Sequence, residues 1–327
     1  MRDNHRDPLS SIYEASVWAR NRLYDRGIFK ARRLAGPVIS VGNISVGGSG
    51  KTPFVILLGE LLKGSGIPFD VLSRGYGRAT RGVLEVDPNG SPRDFGDEPI
   101  LIARRLGVPV FVGEDRYRAG LLAEKKVGSQ LHLLDDGFQH RALARDFDVV
   151  LLSPEDLQDK LLPTGRLREP VSSLHRANAI VVSTEFVLTE VLTEGTQSLM
   201  LPHKILWRTR RGISLANLPE RPVVFCGIAR PEKFVDQLRQ AGVAPVATMF
   251  YPDHHAYTPA DIRQLLELRK RNNAAGFITT EKDAINLGAH LSSLGTVAVA
   301  TVTLELLNSA DALDNILRAI DSRKPRA

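Results

Sequence analysis

The chain is poor in cysteine and has no long apolar run, and each absence removes a class of function. One cysteine, Cys226, stands among 327 residues. An internal disulfide framework and a cysteine-built metal centre both need more than one. Cys226 lies in the apolar run Val223-Val224-Phe225-Cys226, the setting of a small buried side chain in a reducing compartment. No run of about eighteen apolar residues exists, so no helix is expected to span a bilayer. The N-terminus lacks an unbroken apolar core of the secretory type. Internal repeats and low-complexity tracts are missing, as are zinc-module and RNA-recognition signatures, so nucleic acid is not an expected partner.

What is present is an ordinary globular composition with a basic balance. Lys and Arg number 43 against 37 Asp and Glu, a formal net charge of +6. That favours anionic partners, such as nucleotides, phosphorylated substrates or anionic lipid, without choosing among them. The length suits two domains. Residues 10–34 read as helix, mixing Ile12, Tyr13, Val17, Trp18, Leu23, Tyr24, Ile28 and Phe29 with Arg20, Arg22, Arg26, Lys30, Arg32 and Arg33. The pattern favours a helix packed on the domain with a solvated basic face over one lying on a membrane.

The chain is organised around Ser45-Val46-Gly47-Gly48-Ser49-Gly50-Lys51-Thr52. A short apolar run, Val38 to Val41, precedes it, and a helix-compatible run through Leu62 follows. Strand, glycine loop, Gly-Lys-Thr and helix together define a phosphate-binding loop. The glycines let backbone N–H groups approach phosphate oxygens, and the helix N-terminus adds its positive end. Lys51 suits the β- and γ-phosphates, and Thr52 suits Mg²⁺. Ser45 stands where the general pattern has glycine.

Apolar strands alternate with helices from Pro37 onward. Strands are expected at 69–73, 108–112, 131–134, 148–152 and 179–182, with helices at 99–106 and 116–126. This predicts a mostly parallel α/β sheet covered on both faces, with ligands at the carboxyl ends of its strands. Residues 208–222, with Gly212, Asn217, Pro219 and Pro222, read as a linker. A second, smaller βα series follows: a strand at 223–226, a helix at 231–240, a strand at 243–249, a helix opening at Thr258-Pro259, a strand at 276–279 and a helix at 310–320. The expected division is a basic amphipathic segment over 1–35, a phosphate-loop domain over 36–210 and a smaller α/β domain over 211–327.

Candidate chemistry collects at strand ends. Asp135-Asp136 closes an apolar strand, where a phosphate-loop protein keeps its Mg²⁺-holding acid, and Gly137-Phe138-Gln139-His140 follows. Ser73-Arg74-Gly75-Tyr76-Gly77-Arg78 offers arginines for phosphate or sugar contacts. Asp97 is either a helix cap or a carboxylate at the active face. Arg168 lies in a charged loop and could neutralise a transferring phosphoryl group. Asp253-His254-His255 suits one histidine steadied by a carboxylate as proton acceptor. Adjacent side chains diverge, so the two histidines do not share a metal. Thr280-Glu281-Lys282-Asp283 either caps a helix or reaches the nucleotide.

In this order the segments Asn43 to Pro53, Ser73 to Arg78, Gly96 to Pro99, Asp135 to His140, Leu167 to Pro170, Asp253 to His255 and Thr280 to Asp283 resemble the tetraacyldisaccharide 4′-kinases of lipid A biosynthesis. The resemblance runs over roughly residues 10–290. It implies an ATP- and Mg²⁺-dependent kinase that phosphorylates the 4′-hydroxyl of tetraacyldisaccharide 1-phosphate to give lipid IV-A. It also implies peripheral association with the cytoplasmic face of the bacterial inner membrane through the N-terminal helix, which revises the reading of residues 10–34. It implies no obligate protein partner, and a second domain that closes over the nucleotide.

By residue, the resemblance implies that Lys51 acts on the phosphates, with Ser45 to Thr52 as the nucleotide loop. It implies Thr52, Asp135, Asp136 and Glu169 near the metal, Arg168 beside the phosphates, and Asp97 with His254 as a dyad that activates the sugar hydroxyl. Arg74, Tyr76, Arg78, Gln139 and His140 are the substrate candidates. The alternative is an ATPase or GTPase switch. Against it, Val46 stands where a partitioning ATPase carries an extra lysine, and no Asn-Lys-x-Asp follows a strand.

Overall fold

The computed structural model describes residues 8–48, 50–186 and 204–322. In chain order the elements begin with α1 (Pro8–Asp25), β1 (Val38–Asn43), α2 (Lys51–Gly64), β2 (Phe69–Ser73), β3 (Leu84–Glu85), α3 (Pro92–Phe95), α4 (Asp97–Leu106) and β4 (Val110–Val112). Next come α5 (Arg116–Val127), β5 (Leu131–Asp135), β6 (Phe147–Leu151), β7 (Ala179–Ser183) and β8 (Ile205–Ser214). The remainder comprises β9 (Pro222–Cys226), α6 (Pro231–Gln240), β10 (Ala247–Phe250), α7 (Pro259–Arg271), β11 (Gly276–Thr280), α8 (Glu281–Leu287), β12 (Val297–Leu306) and α9 (Ser309–Asp321).

These elements fall into two compact units. The first holds residues 1–74, 113–210 and 305–327, and the second holds 75–112 and 211–304. The division therefore differs from the contiguous one expected above: residues 75–112 belong with the second unit, and the last helix belongs with the first. Composition along a chain cannot reveal a segment that leaves one core for another and returns. A second difference concerns the expected linker at 208–222. Much of it is strand β8, whose first half pairs in parallel with β7 from Ile205 opposite Ala179 to Thr209 opposite Ser183.

The first unit is a parallel sheet in the order β8-β7-β6-β1-β5-β2. Strand β1 sits between β5 and β6, with Val41 opposite both Asp135 and Val149. Strands β1, β2, β5 and β6 are buried along their whole length, as a sheet covered on two faces requires. Trp207 of β8 lies between Phe54 of α2 and Phe147 of β6, stacked at 6.4 and 5.9 Å. Helix α1 is shorter than the 10–34 segment expected. It ends at Asp25, where the Ile28 N–H turns back to the Leu23 carbonyl, and residues 26–33 expose their side chains.

The second unit repeats the theme on a smaller scale, as a parallel sheet in the order β10-β9-β11-β12. Alternation along β9 serves two cores. Val224 and Cys226 pack with Phe234, Val235 and Leu238 of α6, while Val223 and Phe225 pack with Ile262 and Leu265 of α7. Cys226 is an inert member of that core, and burial raises its thiol pKa. The α7 start is as read: Thr258 caps the Asp261 N–H, and the Asp261 carboxylate returns to the Thr258 N–H. Strand order reverses between β9 and β11, so the crevice at their carboxyl ends is the natural ligand position of this unit.

At the opposite, amino-terminal end of the first sheet lies a fully buried ion pair. His132 of β5 places Nδ1 2.9 and 3.0 Å from the two Asp70 oxygens, with Nε2 3.4 Å from Glu124. Neither His132 nor Asp70 has exposed surface. Replacing His132 by Ala leaves Asp70 buried without its partner. It is expected to lower unfolding free energy by about 3–5 kcal/mol, measured by urea denaturation.

Candidate functional site

In the first unit the site grows from the turn between β1 and α2. Gly50 adopts φ 80° and ψ 21°, a left-handed conformation, immediately before α2. Asn43, the last residue of β1, braces the loop from below. Its amide nitrogen donates to the Ser45 carbonyl at 2.8 Å and to the Ser45 hydroxyl at 3.2 Å, and its Oδ1 accepts from Lys51 Nζ at 3.1 Å. The Ser45 side chain is thus buried inside the loop. The Val46 N–H is also committed, to the Arg166 carbonyl at 2.8 Å. Ser45 and Val46 are thus both tied to neighbouring segments of the protein. Gly47 and Gly48 are exposed, and Ser49 lies outside the described residues.

Strand β5 delivers Asp135 and Asp136 beside this loop. Asp135 is buried and accepts from the Ser73 hydroxyl at 2.9 Å. Asp136 lies 3.5 Å from Lys51 Nζ and accepts from Arg168 at 2.9 and 3.2 Å. Burial works to raise the Asp136 pKa, but the charges of Lys51 and Arg168 outweigh it and hold the group below the ordinary 3.8. Gln139 donates to the Asn43 carbonyl at 2.8 Å and so steadies the end of β1. His140 is driven down to about 4 by burial and then by Arg116, so it is neutral near pH 7. Its Nε2 is buried with no hydrogen-bond partner among the described residues.

Arg116 was not among the residues singled out from sequence. It is 6% exposed, and burial followed by the nearby Arg74 charge lowers it to about 10, with Asp136 and Asp135 opposing. Its guanidinium donates to the Glu114 carbonyl. A signal existed: it is the first residue of α5, directly after the N-cap Asp115, near the carboxyl ends of the strands. Arg74 itself is exposed.

Glu169 has another job than the one expected. Its carboxylate is fully buried, with Oε1 3.1 Å from Arg20 and Oε2 accepting from Asn21 at 3.0 Å and Arg176 at 2.7 Å. Three donors thus occupy this carboxylate. It pins α1 to the first unit, helped by the Tyr13 hydroxyl on the Arg168 carbonyl. The remaining donors, the Thr52 hydroxyl with the Asp135 and Asp136 carboxylates, form a hard oxygen set that fits Mg²⁺ completed by nucleotide phosphates. No group of three or more His, Cys, Asp or Glu among the described residues would hold a metal unaided.

The second unit brings Asp97 and His254 together from positions far apart in sequence. His254 Nδ1 lies 3.0 and 2.9 Å from the two Asp97 oxygens. Asp97 is 3% exposed and opens α4, where Gly96 takes the cap position. Burial raises its pKa, but the His254 hydrogen bond and the Lys282 charge bring it down to about 2. The same hydrogen bond, ahead of burial, raises His254 above the ordinary 6.5. Asp253 is 3.8 Å from His254 Nε2, beyond hydrogen-bonding distance. The exposed ring of Tyr76 stands 5.5 Å from the His254 ring, tilted by 52°. Arg78 turns its guanidinium to the Gly82 carbonyl within its own loop.

The loop that carries His254 is fastened at the crevice between β9 and β11. The His254 N–H donates to the Gly227 carbonyl, and a Cβ on Gly227 would come within 2.8 Å of the Pro252 carbonyl oxygen. Asp283 accepts from the Gly227 N–H and from the Tyr257 hydroxyl, each at 2.8 Å. Of the two readings of Thr280 to Asp283, the structure shows the helix cap: Thr280 accepts from the Asp283 N–H.

A two-site arrangement of this kind has known relatives. The model of the tetraacyldisaccharide-1-P 4′-kinase family matches residues 6–321. This chain belongs to that family. It is 45% identical to a tetraacyldisaccharide 4′-kinase of Koribacter versatilis over 97% of this chain and 99% of that one. It is 39% identical to one of Aquifex aeolicus, over 86% of this chain and 88% of that one. A crystal structure of the Aquifex aeolicus kinase in complex with ATP superposes with a TM-score of 0.76 at 35% identity, covering 96% of this chain and 98% of that one. The expected fold, a phosphate-loop α/β sheet with a smaller α/β unit, agrees with that neighbour.

Replacing Glu169 by Ala is expected to cost about 3–5 kcal/mol, because three donors lose one buried carboxylate. Limited trypsin digestion should then cut within residues 20–33 sooner than in the parent protein.

Proposed function

We propose that this chain transfers the γ-phosphate of ATP to the 4′-hydroxyl of tetraacyldisaccharide 1-phosphate, as a lipid A kinase that makes lipid IV-A. The observation that carries the reading is the Asp97–His254 pair in a chain that also presents a phosphate loop ending in Lys51 and Thr52. A sugar hydroxyl is a weak nucleophile, and a neutral imidazole can take its proton as the oxygen attacks phosphorus. With Nδ1–H donated to Asp97, Nε2 is the nitrogen left to accept that proton. The new O–P bond forms as the bond to the β–γ bridging oxygen breaks, and ADP departs with that electron pair. Asp97, ionised across the working range, steadies the imidazolium.

In this reading the first unit serves the donor. Lys51 leaves Asn43 and Asp136 for the β- and γ-phosphates, and Arg168 and Arg116 offset charge on the transferring group. Thr52, Asp135 and Asp136 would hold Mg²⁺, which neutralises phosphate charge when bound. Tyr76 offers its ring to the acceptor sugar, with Arg74 available to an anionic group. Closure of the second unit over the nucleotide belongs to the same proposal.

The acceptor is lipid-borne, and the proposal places the enzyme peripherally on the cytoplasmic face of the bacterial inner membrane. No helix among the described residues is long and apolar enough to cross a membrane. Ile12 and Trp18 of α1 are each 66% exposed, and Ile28 and Phe29 stand exposed between Arg26 and Lys30. Apolar side chains interleaved with cations suit an anionic interface. A double change, Ile12→Ser with Trp18→Ser, should reduce sedimentation with anionic vesicles several-fold while ATP binding is kept.

The direct test supplies ATP, Mg²⁺ and the disaccharide 1-phosphate and scores the 4′-phosphorylated product. Asp97→Ala and His254→Ala should each slow transfer by about 10²-fold or more and leave ATP binding intact. ATP hydrolysis indifferent to the acceptor would favour a switch-type ATPase. Because His254 must be neutral to act and its pKa is raised, kcat/KM should climb as pH rises through a value above 6.5. A rise centred below 6.5 would contradict the dyad.

A further inference from the structure

We propose that Asn286 is a positioning residue whose side-chain amide fixes the Asp97 carboxylate, so that His254 keeps Nδ1 on Asp97 and Nε2 for the acceptor. The inference rests on the kinase reading above and adds a group that neither the motifs nor the expected site contains.

The need for such a group follows from aspartate geometry. The terminal torsion of an Asp side chain is broad and roughly two-fold, so its rotamer does not fix the plane of the carboxylate. Hydrogen bonds have to do so. Asp97 Oδ1 accepts from the Glu98 N–H at 2.8 Å, and Oδ2 accepts from Asn286 Nδ2 at 3.0 Å. His254 Nδ1 lies almost equally far from both oxygens. The two outer donors thus hold one carboxylate oxygen each while both oxygens face His254 Nδ1. Among the described residues, His254 and Asn286 are the side chains that hydrogen-bond Asp97. Lys282 contributes charge only, since its ammonium binds Glu98 at 2.8 Å.

Helix α8 explains how one short element reaches both halves of the dyad. Lys282 and Asn286 are four residues apart and share the face toward α4. Asp283, on the adjoining face, ties down Gly227 and Tyr257, which frame the loop bearing His254. The ionisable groups around the imidazole are Asp97, Lys282, Asp253 and the phenol of Tyr76, with Glu98 behind Lys282. Asn286 carries no charge, so removing it changes the direction and strength of hydrogen bonding without altering that set. An Asp97 carboxylate relieved of the amide becomes a stronger acceptor for His254 alone and favours the imidazolium.

The test uses the full-length protein and Asn286→Ala, a change that a helix tolerates well. The ring of His254 is titrated by NMR, its signals among the eight histidines assigned by comparison with His254→Ala. The His254 midpoint should rise by about half a pH unit or more, the acid limb of kcat/KM should follow it, and kcat at pH 7 should fall about 10-fold with KM for ATP unchanged. In a His254→Ala background the Asn286→Ala change should add no further loss. Asn286→Ser, which keeps a shorter donor, should lie between parent and Ala, and it serves if the Ala variant does not fold. An unmoved or lowered midpoint, or an equal loss of kcat in the background without His254, overturns the role of Asn286 and leaves the kinase reading in place. Parental transfer by His254→Ala itself would instead overturn the dyad, and this inference with it.

Discussion

The hydrogen bond between the Asp97 carboxylate and His254 Nδ1 is the constraint around which the second unit is built. It joins two segments more than 150 residues apart, and a loop of unusual backbone shape sustains it. His254 adopts φ 59°, a left-handed conformation that a non-glycine residue holds only when its surroundings over-determine it. The surroundings are specific: the Gly227 carbonyl takes the His254 N–H, and Asp283 secures Gly227 and Tyr257. In the first unit Asp136 shows the same left-handed habit, with φ 49°. In both units a site side chain is aimed by a backbone that the local network holds in place.

Carboxylates in this protein do three jobs, and burial with partner count tells them apart. Glu169 is wholly enclosed and matched to Arg20, Asn21 and Arg176, so it is structural. Asp136 remains 26% exposed at its side chain and meets Lys51 and Arg168, both partly exposed themselves. Exposed pairs such as Arg210 with Glu305 contribute roughly 0–1 kcal/mol and explain little. A sequence shows all of these simply as acids near bases.

Many elements were legible from their periodicity, while the strands at 205–214 and 297–306 were not. The strands at 69–73 and 131–135 and the helix at 231–240 show plainly as β-branched runs or as a proline-led start. Pairings were less so. Strand β8 mixes Arg, Thr and Gly and passes for a linker because only its partner β7 gives it a strand's environment. Motif order singled out Lys51, Asp136, Asp97 and His254, and the structure sets Lys51 beside Asp136 and His254 against Asp97. Orientation was not: nothing in Leu167-Arg168-Glu169-Pro170 says that Arg168 faces Asp136 while its neighbour turns into the core. The contacts of Asn43, Arg116 and Asn286 escaped because each is made to a neighbour in three dimensions.

The discontinuous make-up of the two units bears on how the protein comes into being. The segment carrying Asp97 is synthesised long before the stretch carrying His254, and the helix at 309–321 that belongs with the first unit comes later still. During translation at about 5–20 residues per second, Asp97 waits several seconds for its partner. Neither unit can finish before nearly all of the chain is out, so the nascent protein passes through a period with open sheet edges. High sequence separation of this kind slows folding and exposes the chain to misassembly. The contact between Asp97 and His254 therefore waits for residues from both parts of the chain to be made.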